Sequence, residues 1–257
     1  MKNSKISIIT ICYNEVYTIK RTIESVFNQS FKDYEYIVID GASTDGTVDI
    51  IRSYEKNIDY LVSEKDTGIY EAMNKGIRQA HGEYLYFLNG GDLLAGSDVL
   101  EKAFSTKGNE DILYGDILKA VGKKQYLNSF SGYSVTPFFL FTHTLPHQGS
   151  FIKKVLFDKF GLYDESYRLM GDYEFFKRAI VVHGATCRYL GFTIGVFDYT
   201  GMSTKAEYKP LQRSEIERAR LSSYGALKYI FFHVIWGFYD FFIFHPRRRI
   251  RKLSGKS

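Results

Sequence analysis

A chain of 257 residues, 45% hydrophobic and 25% charged, is large enough for one α/β domain or a domain with an appendage and has the composition of an ordinary globular protein. Two cysteines, Cys12 and Cys187, exclude a disulfide framework and fit a reducing compartment. The net charge of +5 is local: six of the 34 Lys/Arg lie between His245 and Ser257, where there is no acid, so the remainder carries 28 against 29 Asp/Glu, which argues against a nucleic-acid-binding body. Met1 to Lys5 leads straight into an apolar run with no signal-peptide pattern.

In chain order, Ile6 to Cys12 reads as a buried strand, and Tyr13-Asn14-Glu15 as the loop after it. Apolar residues at helical spacing (Ile19, Ile23, Val26, Phe27) predict a helix over 17–27. Tyr34 to Asp40 is a second strand, followed by the turn-rich loop Gly41 to Gly46 and a helix over 47–54. A third strand, 58–63, leads through Asp66-Thr67-Gly68 into a helix ending near Ala80, with Ile69, Met73 and Ile77 on one face. The next run, Tyr84-Leu-Tyr-Phe-Leu-Asn-Gly-Gly-Asp92, is too short for a helix and reads as a strand buried on both faces. Four strand–loop–helix units predict a mostly parallel sheet with helices on both faces.

The second half is less regular. Short strands are expected at 111–115 and 117–121, with 123–130 pairing to them. A helix over 153–160 stops at Gly161, and another over 173–183 has Asp172 where an N-cap belongs. Strands at 187–189 and 194–199 precede a polar helix over 206–223.

Every predicted strand of the first half ends in a loop carrying an acid: Glu15, Asp40 and Asp45, Asp66, Asp92. Open α/β sheets bind ligands at that edge, and the two glycines before Asp92 let backbone come close to a ligand. No G-x-G-x-x-G follows the first strand and no G-x-x-x-x-G-K-[ST] occurs, which excludes the common dinucleotide and P-loop sites. His143 and His147 stand four apart, but Pro146 between them disfavours a helical metal pair. His147 with Gln148 is instead expected in an acceptor or diphosphate site. Arg168, Lys177 and Arg178 are cations that can hold phosphate charge, though such residues more often face solvent.

The ordered set SIITICYNE, YIVIDGASTDGT, SEKDTGIYEAMNKGI, GEYLYFLNGGD, HQGSFIKK and GLYDESYRLMGDYEFFKRA resembles the family 2 glycosyltransferases, nearest to those of bacterial capsule, O-antigen and exopolysaccharide synthesis. The resemblance covers about residues 5 to 200. It implies the GT-A fold, a nucleotide-sugar donor, by family weight a UDP-sugar, and inverting transfer. It places Thr10, Tyr13, Asn14 and Glu15 on the nucleoside, Asp40 and Asp45 at the base, and Lys65 and Asp66 near base or ribose. Asp92 becomes the metal ligand for Mn²⁺ or Mg²⁺, and Asp172 the catalytic base. Asn89 and Gly91 stand where many relatives have Asp, so one acid of the metal motif remains. Gly171 stands where many have Glu. Sugar nucleotidyltransferases place a Gly-rich basic loop after the first strand, and the glycine-free Tyr13-Asn14-Glu15 disfavours them. A non-catalytic nucleotide-sugar-binding protein would fit the thinned metal motif, but Asp172 argues against it.

The expected organisation is a catalytic domain over 1–205, with a nucleotide half to about 95 and an acceptor half after it, then C-terminal helices over 206–257. Tyr229 to Phe244 is strongly apolar but only sixteen residues long, short of the ~20 that span a bilayer. As a helix it places His233, Gly237 and Asp240 on a narrow polar stripe and is followed by Arg247, Arg248, Arg249, Arg251 and Lys252. That pattern predicts an interfacial helix on anionic lipid. It agrees with family acceptors carried on polyprenyl diphosphate at the inner face of the cytoplasmic membrane.

Overall fold

The computed structural model describes residues 4–105, 108–122, 124–199, 201 and 204–239. The first half alternates as its hydrophobic pattern requires: β1 (Ile6–Cys12), α1 (Ile19–Phe27), β2 (Tyr34–Asp40), α2 (Thr47–Arg52), β3 (Tyr60–Ser63), α3 (Ile69–Gln79) and β4 (Tyr84–Phe87). Their four strands are parallel in the order β3-β2-β1-β4. Side chains alternate across the sheet with period two. Ile9, Ile11, Ile37, Ile39, Leu85 and Phe87 face one core, with Met73 and Ile77 of α3. Ile8, Val38, Tyr36, Tyr84 and Tyr86 face the other, with Ile19, Ile23 and Val26 of α1.

The second half extends this sheet with mixed polarity. β5 (Leu93–Leu94), α4 (Val99–Phe104), β6 (Ile112–Val121), β7 (Lys124–Asn128), α5 (Pro137–Thr142), β8 (Ser150–Lys153), α6 (Lys154–Phe160), α7 (Gly171–Lys177), β9 (Cys187–Asp198) and α8 (Lys209–Tyr239) follow. β8 lies antiparallel between β4 and β6, and β9 runs parallel to β6. The sheet order continues β4-β8-β6-β9-β5, with β7 paired to β6.

Several elements differ from the sequence reading. The two strands expected around Gly115 are one strand, β6. Its pairing with β9 shifts register between Tyr114 and Ile117, so the glycine marks an irregularity in a ladder and not a break. β9 likewise runs through the gap expected at 190–193. The helix expected over 173–183 is α7 followed by a π-helical turn, Arg178–Val182. α8 runs through both predicted C-terminal helices, bent at Gly225 (φ 66°, ψ 165°). Residues 240–244 of the predicted amphipathic segment, Asp240 among them, and the basic tail lie outside the described residues.

Candidate functional site

The site begins where the sheet reverses direction of growth. β2 and β3 are added on one side of β1, and β4 on the other, so the carboxyl ends of β1 and β4 flank a switch point, the place where open α/β sheets form a crevice. The loops at this edge are bonded to one another. Asn14 N–H donates to Ser43 Oγ (2.8 Å), and its side-chain oxygen accepts from Thr44 N–H (2.9 Å). Glu15 N–H reaches Thr47 Oγ1 (2.8 Å), and Val16 N–H reaches Asp45 Oδ2 (3.0 Å). Desolvation raises the Asp45 carboxyl, but hydrogen bonds from the Thr47 hydroxyl and N–H and from Val16 N–H together hold it below its ordinary range.

The residues assigned to nucleotide binding divide into two groups. Tyr13 is 61% exposed, and Asn14, Asp45 and Lys65 are exposed around the crevice, with Glu15 and Asp66 half-buried. Burial raises the Asp66 carboxyl, and burial with Asp198 and Asp45 raises that of Glu15, whose oxygen also accepts from Thr18 Oγ1. Thr10 and Asp40 are fully buried beneath them. Thr10 Oγ1 accepts from the Tyr36 hydroxyl (3.0 Å). Asp40 accepts from Ser43 N–H (2.9 Å), Ser63 Oγ (2.6 Å) and Ser43 Oγ, so it braces the loop over β2 and β3.

Beyond β4 the chain keeps the β1 ladder through Leu88 and Gly90, then turns at Gly91, whose φ of 93° a side chain would strain. The turn drives Asp92 inward. It is 2% exposed; Oδ1 accepts from Asp198 N–H at 2.9 Å, and Oδ2 is buried without a hydrogen bond. Burial pushes its carboxyl up to about 7, against the Asp198 N–H, His147 and nearby Gln148, which favour the anion. Asn89 Oδ1 is also buried and unpartnered. Asp198 stands beside Gly91, its Oδ2 3.6 Å from where a β-carbon would sit.

Asn89 connects this corner to the predicted base. Its Nδ2 lies 3.2 Å from His147 Nε2, and His147 Nδ1 lies 2.9 Å from Asp172 Oδ2. With the amide N–H donating to Nε2, the imidazole carries its proton on Nδ1 and donates it to Asp172. Asp172 Oδ1 accepts from Tyr173 N–H (2.8 Å) and faces the Tyr70 hydroxyl at 3.4 Å. Asp172 keeps 15% of its side chain exposed. Gln148 is buried, and its carbonyl accepts from the Tyr86 hydroxyl (2.9 Å).

Asp172 is not an N-cap. α7 starts one residue earlier, at Gly171, so the carboxylate lies in the first turn. A β-carbon at Gly171 would meet the Tyr70 ring at 2.8 Å; the glycine lets α3 close on α7 and Tyr70 face Asp172. The N–H groups before α7 are satisfied from elsewhere: Glu215 of α8 accepts from Arg168, Leu169 and Met170 N–H at 2.8, 3.0 and 3.0 Å. Sequence reasoning missed Glu215, Asp198 and Tyr70, whose partners are distant in the chain. Lys177 and Arg178 are structural cations. Lys177 is fully buried, donating to Leu140 O at 2.5 Å, and burial drives its ammonium well below its usual range. Arg178 joins Glu174 and the carbonyls of Gly161 and Leu162. His143 stacks on Phe139 (5.0 Å, 10°), away from any metal role.

Among the described residues no group of three or more His, Cys, Asp and Glu is placed to hold a metal ion. The donor chemistry at Asp92 nevertheless fits a cation that takes few protein ligands: a buried carboxylate oxygen with no partner, beside a second carboxylate, Asp198.

An α/β sheet with a crevice at its switch point is an architecture that binds ligands at that edge, and a histidine-linked carboxylate lies beyond it. The glycosyl transferase family 2 model matches residues 7–163, and the chain belongs to that family. It is 34% identical over 207 residues to an uncharacterized glycosyltransferase of Mycobacterium tuberculosis, covering 79% of this chain and 78% of that protein. It is 29% identical over 201 residues to a PGL/p-HBAD biosynthesis glycosyltransferase of Mycobacterium bovis (76% and 77% covered), and 34% identical over 146 residues to a putative teichuronic acid biosynthesis glycosyltransferase of Bacillus subtilis (54% and 52%). The fold is that of residues 1–349 of S. aureus TarS in complex with UDP-GlcNAc (TM-score 0.68, 20% identity, 85% of this chain and 67% of that one). It is also that of a Pyrobaculum calidifontis mannosyltransferase in complex with GDP-Man and Mn²⁺ (TM-score 0.61, 13% identity, 99% and 88%). The chain is thus a glycosyltransferase of GT-A fold.

Proposed function

We infer that this glycosyltransferase inverts the anomeric centre of a UDP-sugar, transferring the sugar to a hydroxyl of a saccharide carried on polyprenyl diphosphate at the inner face of the cytoplasmic membrane, in surface polysaccharide synthesis. The observation that supports the chemistry is the line of contacts Asn89–His147–Asp172, which joins the loop after β4 to a carboxylate that keeps 15% of its side chain exposed. The UDP and UDP-GlcNAc complexes of TarS support the donor nucleotide. The teichuronic acid and PGL/p-HBAD names of its relatives support a surface glycoconjugate.

In this reading the exposed loop residues Tyr13, Asn14, Asp45, Lys65 and Asp66 receive the nucleoside, over the support of Thr10, Glu15 and Asp40. The acceptor hydroxyl docks on Asp172. Its proton passes to the carboxylate as the new C–O bond forms and the bond from the anomeric carbon to the diphosphate breaks on the opposite side. One displacement by one base inverts the centre, and a positioned carboxylate contributes about 10²–10⁴-fold. His147, by donating to Oδ2, holds the carboxylate turned toward the acceptor. Asp92 Oδ2 would hold a Mn²⁺ or Mg²⁺ ion, with Asp198 beside it. Such an ion, when bound, offsets negative charge on the departing diphosphate.

The test is Asp172→Asn, which keeps the size and one acceptor oxygen but cannot take a proton. UDP release from UDP-sugar in the presence of lipid-linked acceptor is expected to fall by at least about 10²-fold, while calorimetry gives UDP affinity within about twofold of the parent. Near-normal turnover removes Asp172 from the mechanism.

A further inference from the structure

The C-terminal helix turns its apolar side outward. At Gly225 the backbone leaves the helical region (φ 66°, ψ 165°) and re-enters it, which re-aims the rest of α8. After the bend the face toward the body is aromatic and polar. The Tyr229 hydroxyl donates to Glu217 (2.7 Å), the Phe232 ring packs on Phe138 (5.4 Å) and Phe141 (5.5 Å), and His233 meets Phe141 (5.2 Å). His233 of the predicted polar stripe thus contacts the body, Gly237 is exposed, and Asp240 lies outside the described residues. Leu227, Ile230, Phe231, Val234 and Ile235 are left 86, 58, 59, 53 and 37% exposed. Their spacing, i, i+3, i+4, i+7 and i+8, is a continuous stripe along one side of a helix. Five exposed aliphatic and aromatic side chains in a row mark a binding surface.

Charge decides the occupant. From Arg218 to Ser257 the sequence has one acid, Asp240, against nine Lys/Arg; Lys228 sits within the exposed segment, and Arg247, Arg248, Arg249, Arg251 and Lys252 lie beyond the described residues. An anionic lipid surface attracts so unbalanced a flank and receives the stripe into its acyl boundary. No helix among the described residues is long and apolar enough to cross a membrane. We propose that the stripe Leu227–Ile230–Phe231–Val234–Ile235 docks the enzyme on an anionic bilayer. The surface rests on its own geometry and not on the transfer chemistry, although it would bring the site to lipid-linked acceptors.

Full-length protein is mixed with vesicles of phosphatidylcholine alone or with three parts in ten phosphatidylglycerol, and sedimented. Most of the protein is expected to pellet with the anionic vesicles at low salt, several-fold less with neutral ones or at high salt. Combined Leu227→Ser, Phe231→Ser and Val234→Ser is expected to lower partitioning at least about tenfold with unchanged circular dichroism and UDP binding. Arg→Gln and Lys→Gln changes at 247–249, 251 and 252 should remove the preference for anionic lipid. The proposal is overturned if the parent ignores anionic vesicles at low salt, if the serine variant binds as the parent does, or if the parent is a dimer that the serine changes dissolve. UDP binding, measured apart, reports on the transferase reading separately.

Discussion

Asp92 is a carboxylate that the fold buries without filling: one oxygen meets Asp198 N–H and the other has no partner. Burial raises it from 3.8 to about 7 in the folded chain, whereas the unfolded chain ionises it near its ordinary value. Between those values the folded state holds a proton the unfolded state has lost. Its contribution to stability is complete below the unfolded value and is lost as pH rises through about 7. Asp92→Asn removes that dependence. In EDTA, urea denaturation is expected to show the parent losing up to about 4 kcal/mol between pH 4 and 8, with the asparagine variant flatter and more stable than the parent at pH 8. Equal slopes would mean that Asp92 is not held desolvated. The position of Asp92 at a turn past β4 was readable because Gly90-Gly91-Asp92 is contiguous. Its partner Asp198, 106 positions away, was not, since no local pattern announces a backbone N–H aimed at a distant carboxylate.

The same limit operates on elements. The first four strands were legible because each βαβ unit is local and its hydrophobic period alone sets its faces. The β6–β9 ladder joins residues about 75 apart, so its irregular register and the continuity of both strands were hidden. α8 belongs to this second kind. Its sequence reads as a polar surface helix, yet Glu215 is 5% exposed and accepts the three N–H groups leading into α7, while Arg220 donates to Phe141 O (2.9 Å) at the end of α5. Glu215 therefore positions the element that carries Asp172. Glu215→Ala would leave three donors without an acceptor, at a cost of about 3 kcal/mol or more, and let the α7 start drift. A shift of even ~1 Å at a reacting group costs about 10²-fold. The expected result is a lowered Tm and kcat with UDP affinity nearly unchanged, because the nucleotide loops hang on β1 to β3. A variant whose kcat matches the parent would show that the α7 start holds its place without Glu215.

At the scale of the whole chain, the sequence suggests a catalytic body ending at 205 and a C-terminal appendage after it. The packing favours a later division. Before Gly225, α8 is built into the acceptor half: Ala219 is fully buried, Tyr224 is 5% exposed with its hydroxyl on Pro137 O (2.6 Å), and Arg218 lies over the Tyr167 ring. After Gly225 the helix keeps a few aromatic contacts on one side and exposes the other. The hydrophobic pattern could not reveal this. The first part of α8 docks through single buried residues in a polar sequence, and the second, apolar part is the one left outside. We propose Gly225 as the functional boundary and expect two truncations to differ. A chain ending after Tyr224 retains a cooperative thermal transition and UDP binding. It loses the Phe232 and Tyr229 contacts, about 1–2 kcal/mol, which for a chain of this size lowers Tm by a few degrees. A chain ending after Thr204 removes Glu215, Ala219, Arg220 and Tyr224 together. It is expected to lose the cooperative transition of the acceptor half, seen by circular dichroism and dye binding to newly exposed apolar surface. If the shorter chain melts as the longer one does, α8 is an appendage throughout and the boundary belongs at 205.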